Sequence, residues 1–152
     1  MLKKNFIKIL ILLFLLYGCG YTPIYTNKDY NFTIISLQTN GNDKLNKIIT
    51  NRLGIYKNTN SKKQFNLIIN KNLEKEVASK DSKGNPKTFR IVLNTKIIVS
   101  DSEGITKEKS FSKTLDYNNK SKKSELKKYE DRSGKNLAEK ISEEIIIYLV
   151  SN

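Results

Sequence analysis

The sequence predicts an α+β fold in which two helices pack on one face of a four-stranded sheet, in the order β-α-β-β-β-α. Two segments carry apolar residues every three or four positions, which is the spacing of one helix face, and other segments alternate apolar with polar residues, which is the spacing of a strand. Clusters of Gly, Asn, Asp and Ser separate these segments. Because two amphipathic helices need a common apolar surface to cover, we expect the strands to form one sheet.

Residues 1–18 are expected to be a lipoprotein signal peptide. Lys3, Lys4 and Lys8 supply its positive charge, and the apolar run that ends at Leu16 is too short to span a bilayer, for which roughly 20 apolar residues are needed. Charge followed by a short apolar run is typical of a secretory signal. The ending Leu16-Tyr17-Gly18-Cys19 resembles the lipobox that lipoprotein signal peptidase cleaves, although Tyr17 is larger than the usual Ala or Ser.

Cys19 is the only cysteine in the sequence and is expected to become the lipidated first residue of the mature chain. The expected modification is covalent, with an S-diacylglycerol group and an N-acyl chain such as palmitate, and no other cofactor is predicted. An ordinary signal peptide, or a membrane anchor with an incidental cysteine, is the alternative. Residues 19–30 would then be a lipidated tether, and residues 31–152 a single domain of ordinary size.

The first half of the domain predicts a strand, a helix and a second strand. The segment from Asn31 to Gln38 is short and rich in β-branched and aromatic residues, as strands are. Asp43 is expected to cap a helix that continues to about Tyr56. Its apolar face would consist of Leu45, Ile48, Ile49, Leu53 and Tyr56. The segment from Gln64 to Leu73 alternates and predicts the second strand.

The second half predicts a β-hairpin followed by a long helix. In the segment from Thr88 to Ser100, Arg90, Asn94 and Lys96 share one parity, so this strand should bury one face only. The residues that share the other parity are Phe89, Ile91, Leu93, Ile97 and Val99. A tight turn at residues 101–104 leads into a returning strand from Ile105 to Tyr117. Residues 122–150 repeat apolar side chains at helical spacing.

The composition argues against catalysis. The chain has no histidine, which is the usual general base near neutral pH, and its only cysteine is expected to carry lipid. It contains no phosphate-binding glycine loop and no nucleophile elbow. Paired carboxylates such as Glu74 and Glu76, or Glu143 and Glu144, lie among lysines and are typical of a charged surface. We therefore predict no catalytic residue, no metal site and no enzymatic activity.

The net charge of +13 predicts an anionic partner. Removing the signal removes three lysines and no acidic residue, which leaves +10. Export argues against nucleic acid and in favour of an acidic lipid or a phosphate-bearing sugar. The candidate anion-binding residues are Lys83, Lys87, Arg90, Lys96, Lys107, Lys109 and Lys113. Two alternatives stay open, namely that these residues are an ordinary solvated sheet face, and that an A/T-rich coding sequence produced the excess of lysine.

Several short motifs resemble the LptE family, the lipopolysaccharide (LPS) assembly lipoproteins, in its alphaproteobacterial form. The start, Cys19-Gly20-Tyr21-Thr22-Pro23-Ile24-Tyr25, is similar to the family's CGF-x-P-L-Y, with Tyr21 in place of Phe and Ile24 in place of Leu. Residues 115–118 (LDYN) resemble its YN segment. Residues 129–132 (YEDR), followed by residues 136–141 (NLAEKI), resemble the acidic run and L-A-x-x-I helix with which the family ends.

The resemblance implies a fold, a location and a function. The sheet would be mixed, and the protein would be lipid-anchored on the periplasmic face of the outer membrane, since Gly20 is not the Asp associated with inner-membrane retention. It would assemble with and plug an LptD-type β-barrel, and it would bind LPS during its delivery to the cell surface. The resemblance assigns no LPS-contacting residue. An unrelated outer-membrane lipoprotein with a structural or envelope-anchoring role is the alternative.

Overall fold

The computed structural model describes residues 32–41, 43–57 and 61–151. The predicted order β-α-β-β-β-α is confirmed. The elements are β1 (Phe32–Thr39), α1 (Lys44–Gly54), β2 (Lys63–Lys80), β3 (Pro86–Asp101), β4 (Thr106–Asn118) and α2 (Lys123–Ser151). The expectations for the signal peptide, for Cys19 and for the tether fall outside the described residues.

The four strands form one mixed sheet in the order β1-β2-β3-β4. β1 pairs with β2 in parallel, whereas β2 with β3 and β3 with β4 are antiparallel. The parallel pair requires a crossover connection, which α1 supplies, and the antiparallel pairs need only short turns. The sheet is therefore mixed because only one of its three connections contains a helix.

Both helices cover the same face of the sheet. The odd-numbered residues of β2 and β3 point to this helix-covered face, and the even-numbered residues point to the other, which we call the open face. The buried apolar residues of these two strands are Phe65, Leu67, Ile69, Ile91, Leu93, Ile97 and Val99. The helices contribute Ile49 and Leu53 from α1, and Leu137, Ala138, Ile141, Ile145 and Leu149 from α2.

α1 begins where the sequence predicts and ends slightly earlier. The carboxylate of Asp43 accepts hydrogen bonds from the backbone N–H of Leu45 at 2.9 Å and of Asn46 at 3.0 Å, which caps the helix. The same carboxylate accepts a 2.5 Å bond from the Nζ of Lys71 on β2. The helix ends at Gly54, and Tyr56 continues beyond it to stack on Phe32, with ring centroids 5.2 Å apart.

α2 runs along the sheet from the β2–β3 turn towards the β3–β4 turn. Near its start, Glu130 accepts hydrogen bonds from Tyr117 at 2.8 Å and from Lys75 at 2.6 Å. Near its end, Tyr148 packs edge-on against Phe111. Between these points the buried Gly134 faces the side chains of Leu45 and Leu73, so α2 lies beside both α1 and β2 there.

β2 is eight residues longer than the sequence predicts, since it begins at Lys63 and continues past Leu73 to Lys80. Its inner half, Lys63–Ile69, alternates buried and exposed side chains, whereas in its outer half, Asn70–Lys80, no residue is buried. The outer half is a strand because it pairs with β3, which itself begins at Pro86 instead of Thr88. Hydrogen bonding to a neighbour holds it extended, and a hydropathy pattern does not record that pairing.

Candidate anion-binding surfaces

The seven candidate anion-binding residues do not form one surface. Arg90 and Lys96 are even-numbered residues of β3 and lie on the open face. Lys107, Lys109 and Lys113 are opposite Val99, Ile97 and Leu93 across the β3–β4 pairing, so they lie on the helix-covered side of the sheet. The lysines of β4 therefore do not share a face with Arg90 and Lys96, because the register of the hairpin pairs odd residues with odd residues.

Arg90 is already occupied by carboxylates. Its Nε and Nη2 donate to the two oxygens of Asp116 at 2.7 and 2.9 Å, and Nη1 lies 3.7 Å from Glu76. The hydrogen bond to Asp116 raises the pKa of Arg90, and the same bond lowers the pKa of Asp116. Since a bidentate carboxylate uses the geometry with which a guanidinium binds phosphate, Arg90 has little capacity left for an anion.

Lys96 and Lys113 are also paired. The Nζ of Lys96 lies 2.6 Å from Glu108 on the neighbouring strand. Lys113 donates to Glu144 of α2, and this pair joins the edge strand to the helix that covers it. The remaining two lysines of β4, Lys107 and Lys109, are exposed and form no ion pair with the described residues.

Lys83 and Lys87 belong to a cluster of cations at one end of the molecule. Lys83 lies in the β2–β3 turn, and Lys87 is the second residue of β3. The backbone N–H of Asn119 donates to the carbonyl of Lys87 at 2.9 Å, and its side-chain amide donates to the carbonyl of Pro86 at 2.8 Å. These bonds bring the start of α2 beside the hairpin. We call the resulting group the cationic end; it consists of Lys80, Lys83, Lys87, Lys120 and Lys123.

The cationic end carries an unbalanced positive charge. All five lysines are exposed, and none forms an ion pair within the described residues. The carboxylate of Asp81, which lies among them, accepts the backbone N–H groups of Lys83 and Asn85, both at 2.9 Å. The hydrogen bond from Asn85 is the main cause of the lowered pKa of Asp81. Asp81 thus holds the turn, and the surrounding lysines remain available to an anion.

The two parts of this cluster are far apart in the sequence, and sequence reasoning did not join them. Lys83 and Lys87 are on the predicted list, and the run from Lys120 to Lys128 is basic in the sequence, but more than 30 positions separate the two. The pairing of Thr88 with Asn118 brings them together. The predicted hairpin was sufficient to join the two parts, since a turn at residues 101–104 places residues 87 and 119 side by side.

The open face contains a polar groove of about 480 Å³. It is lined mainly by amides and hydroxyls, those of Asn70, Asn72, Asn94, Ser110 and Ser112, with Lys96 at its side. Ser112 donates to the side chain of Asn94 at 2.8 Å. Such groups donate and accept hydrogen bonds without net charge, and Lys96 is neutralised by Glu108. The groove is therefore suited to uncharged polar groups and not to phosphate.

The described residues contain no arrangement for metal binding and no helix with the length and apolarity of a membrane span. No three or more Cys, Asp or Glu side chains among them are grouped so as to hold a metal ion. The longest described helix, α2, carries charged residues from Lys123 to Glu144. The prediction that the chain is not an enzyme stays a prediction.

Solved structures with the same fold are lipoproteins. Rare lipoprotein B from Shewanella oneidensis superposes with a TM-score of 0.63 at 17% identity, over 78% of this chain and 95% of that one. A minor lipoprotein from Acinetobacter baumannii gives 0.60 at 11% identity, over 81% and 92%. Lipoprotein B from Nitrosomonas europaea gives 0.55 at 10% identity, over 82% and 88%. The resemblance to LptE-like lipoproteins is thereby confirmed at the level of the fold.

No family model and no curated protein matches the chain. At 10 to 17% identity the structural likeness concerns the fold alone. The location, partners and ligand of this chain therefore have to be argued from its own residues.

Proposed function

We propose that this protein is an outer-membrane lipoprotein, anchored on the periplasmic face through lipidated Cys19, that assembles with and plugs an LptD-type β-barrel and binds LPS on its way to the cell surface. The observation that supports this most strongly is a coincidence of two independent features in one chain. The motif from Cys19 to Tyr25 resembles the start of the LptE family, and the remainder has the fold of rare lipoprotein B.

The cationic end supplies a place for the anionic part of LPS. Lipid A and the inner sugars of LPS carry phosphate and carboxylate groups, and five exposed lysines without carboxylate partners form a field that attracts them. Lysine binds phosphate as a point charge on a flexible stem, so such a cluster accepts phosphates in more than one arrangement. The ion-paired Arg90, Lys96 and Lys113 are expected to contribute little.

The barrel partnership is tested by isolating the tagged full-length lipoprotein from membranes in mild detergent. We expect a large β-barrel protein of LptD type at about equal stoichiometry. A Cys19→Ser variant, which cannot be lipidated, is the control for the anchor and should be lost from the outer-membrane fraction. Recovery of the wild-type protein alone from that fraction would leave the anchor intact and would favour the structural or envelope-anchoring role.

LPS binding is tested with charge-neutralised variants of the purified full-length protein. We expect the triple variant Lys83→Gln, Lys87→Gln, Lys120→Gln to bind LPS at least about tenfold more weakly at low salt, because the attraction between clustered charges is largely lost. The matched control neutralises Lys63, Lys107 and Lys109, which are also exposed but lie outside the cationic end, and should change the affinity about twofold or less. Equal loss in both variants would mean that net charge, and not the cationic end, determines binding.

A further inference from the structure

β2 is an interior strand along only half of its length. β1 pairs with it from Lys63 to Ile69, and the last contact is the bond from the N–H of Asn40 to the carbonyl of Ile69 at 3.2 Å. The chain then turns into α1, whose cap Asp43 binds Lys71. Beyond that point no strand of the described residues lies beside the outer half of β2.

The backbone groups along this edge of β2 can be assigned from the strand's two-residue repeat. The carbonyl of Ile69 points towards β1, so the N–H and C=O groups of Lys71, Leu73 and Lys75 point to the same side. The backbone N–H and C=O groups of the intervening residues Asn72 and Glu74 point to β3. The regular repeat extends to Val77, after which the pairing with β3 is interrupted by register shifts. An unpaired edge of about seven residues is thus exposed, which is the length of an ordinary strand.

Apolar side chains accompany these backbone groups. Leu73 and Val77 are each 43% exposed on the helix-covered side of the edge. Beside Leu73 is a groove of about 200 Å³, which Leu45, Ile91 and Gly134 help to line. The two lysines of this edge are not obstacles to a strand, because Lys71 is paired with Asp43 and Lys75 with Glu130.

The outer edge of β4 does not share these properties. None of its larger apolar side chains is exposed, since Phe111 and Leu115 are partly covered and Tyr117 is buried. Charged residues such as Lys107, Glu108 and Lys109 fill its exposed positions, which is how proteins commonly protect an edge from pairing. The edge of β2 is therefore the better candidate for an added strand.

A second copy of this chain fits the edge of β2 poorly. Antiparallel self-pairing about Leu73 places Lys71 opposite Lys75, and pairing about Glu74 places that residue opposite itself. Pairing about Lys75 places Lys75 opposite itself and Glu74 opposite Glu76. Like charges directly opposite each other disfavour the registers about Glu74 and Lys75. The register about Leu73 places Asn72 and Asn70 opposite Glu74 and Glu76, so a second copy supplies no complementary charge to these carboxylates.

We propose that the segment from Lys71 to Val77, within the outer half of β2, receives an extended segment of a partner protein as an additional strand of the sheet. The segment would place apolar side chains opposite Leu73 and Val77, over the groove, and Lys or Arg opposite Glu74 and Glu76 on the open face. Among the described residues, Glu74 accepts a hydrogen bond only from the Asn72 amide, at 2.6 Å, and so keeps its charge available to such a partner. Main-chain bonds provide the affinity, and the alternate side chains provide the selectivity. This inference goes beyond the proposed function and requires neither the barrel nor LPS.

The test uses residue-resolved amide hydrogen exchange on the mature lipidated protein in detergent micelles. The probe is the peptide acetyl-KVKVTVK-amide, and the control is its charge-reversed counterpart acetyl-EVEVTVE-amide. With the basic peptide at about ten times its Kd, exchange at the N–H of Leu73 and Lys75 should slow roughly tenfold, because only the unbound fraction exchanges. The N–H groups of Glu74 and Glu76, which already bond to β3, should change little.

Each other outcome overturns the proposal. Unchanged exchange at Leu73 and Lys75 would mean that the edge accepts no strand. Equal protection by both peptides would refute the basic character of the partner. Protection that appears without peptide as the protein concentration rises would identify a second copy as the occupant.

Two variants locate the bound peptide. Leu73→Pro removes an edge N–H that does not bond to β3, so the sheet should persist and the protection by the peptide should be lost. Leu73→Lys keeps the backbone N–H and replaces the proline variant in the test if that variant does not fold. Its added positive charge should weaken binding of the basic peptide at least about fivefold. Wild-type affinity in both variants would exclude this edge as the binding site.

Discussion

The two halves of β2 share one alternating pattern but differ in what covers them. In the inner half, Phe65, Leu67 and Ile69 lie between β1 and β3 and beneath the helices, and all three are buried. In the outer half, Leu73 and Val77 continue the same parity and are partly exposed, since β1 and α1 do not extend over them. One half of the strand therefore stabilises the domain, and the other half is available for contacts outside it.

The largest expected effect is in the inner half. Leu67 in the inner half and Leu73 in the outer half provide a matched pair on one strand and one face. Leu67 is 0% exposed and Leu73 is 43% exposed. Leu67→Ala should lower the free energy of unfolding by about 2–5 kcal/mol, because a cavity remains in a packed core. Leu73→Ala should cost less than about 1 kcal/mol. Denaturant unfolding of both variants measures the difference, and similar losses would show that the outer half is not the less stabilising one.

An intermediate effect is expected at the boundary between the halves, where Asp43 caps α1 and binds Lys71. Asp43→Ala should lower the free energy of unfolding by about 1 kcal/mol, because the first turn of α1 loses its cap. Asp43→Asn is the control, since it can still cap the helix but cannot form the ion pair. If the two variants are equally destabilised, the ion pair with Lys71 and not the cap is the main contribution.

The contribution of Asp43 should depend on pH. Burial raises the pKa of Asp43, but hydrogen bonds from Lys71 and from the N–H groups of Asn46 and Leu45 outweigh burial and lower it overall. The folded protein therefore stabilises the ionised form of Asp43 relative to the unfolded chain, in which the pKa of Asp is about 3.9. The stabilisation is present above about pH 4 and is lost as the pH falls further. The free energies of unfolding of the wild-type protein and of Asp43→Asn should therefore converge as the pH falls below about 4.

The smallest effect is expected in the outer region of the sheet, at the ion pair between Arg90 and Asp116. Both groups are exposed, so solvent screens their attraction. A double-mutant cycle with Arg90→Gln and Asp116→Asn should give a coupling close to the limit of detection, which falls further as salt is added. A coupling as large as the effect of Asp43→Ala would contradict the view that this region contributes little to stability.

The sequence was a better guide to the fold than to the surfaces. Local patterns predict β3, α1 and α2, because burial of one face requires apolar residues at a regular spacing in each segment. The part of β2 beyond Leu73 was not predicted, since Lys75 interrupts the apolar parity and only pairing with β3 keeps this part extended. The surfaces on which the candidate cations lie were not predicted. Their grouping depends on the register between strands, and the sequence of one strand does not contain that register.

Thr95 lies at the centre of β3, buried and without a hydrogen-bond partner for its hydroxyl among the described residues. With its neighbours Asn94 and Lys96 it separates two apolar triplets, residues 91–93 and 97–99. Without that interruption, nine consecutive residues of high β-propensity would be exposed whenever the chain is unfolded, and such a segment promotes aggregation between chains. A polar residue that weakens the folded core thus protects the chain in the interval before it folds.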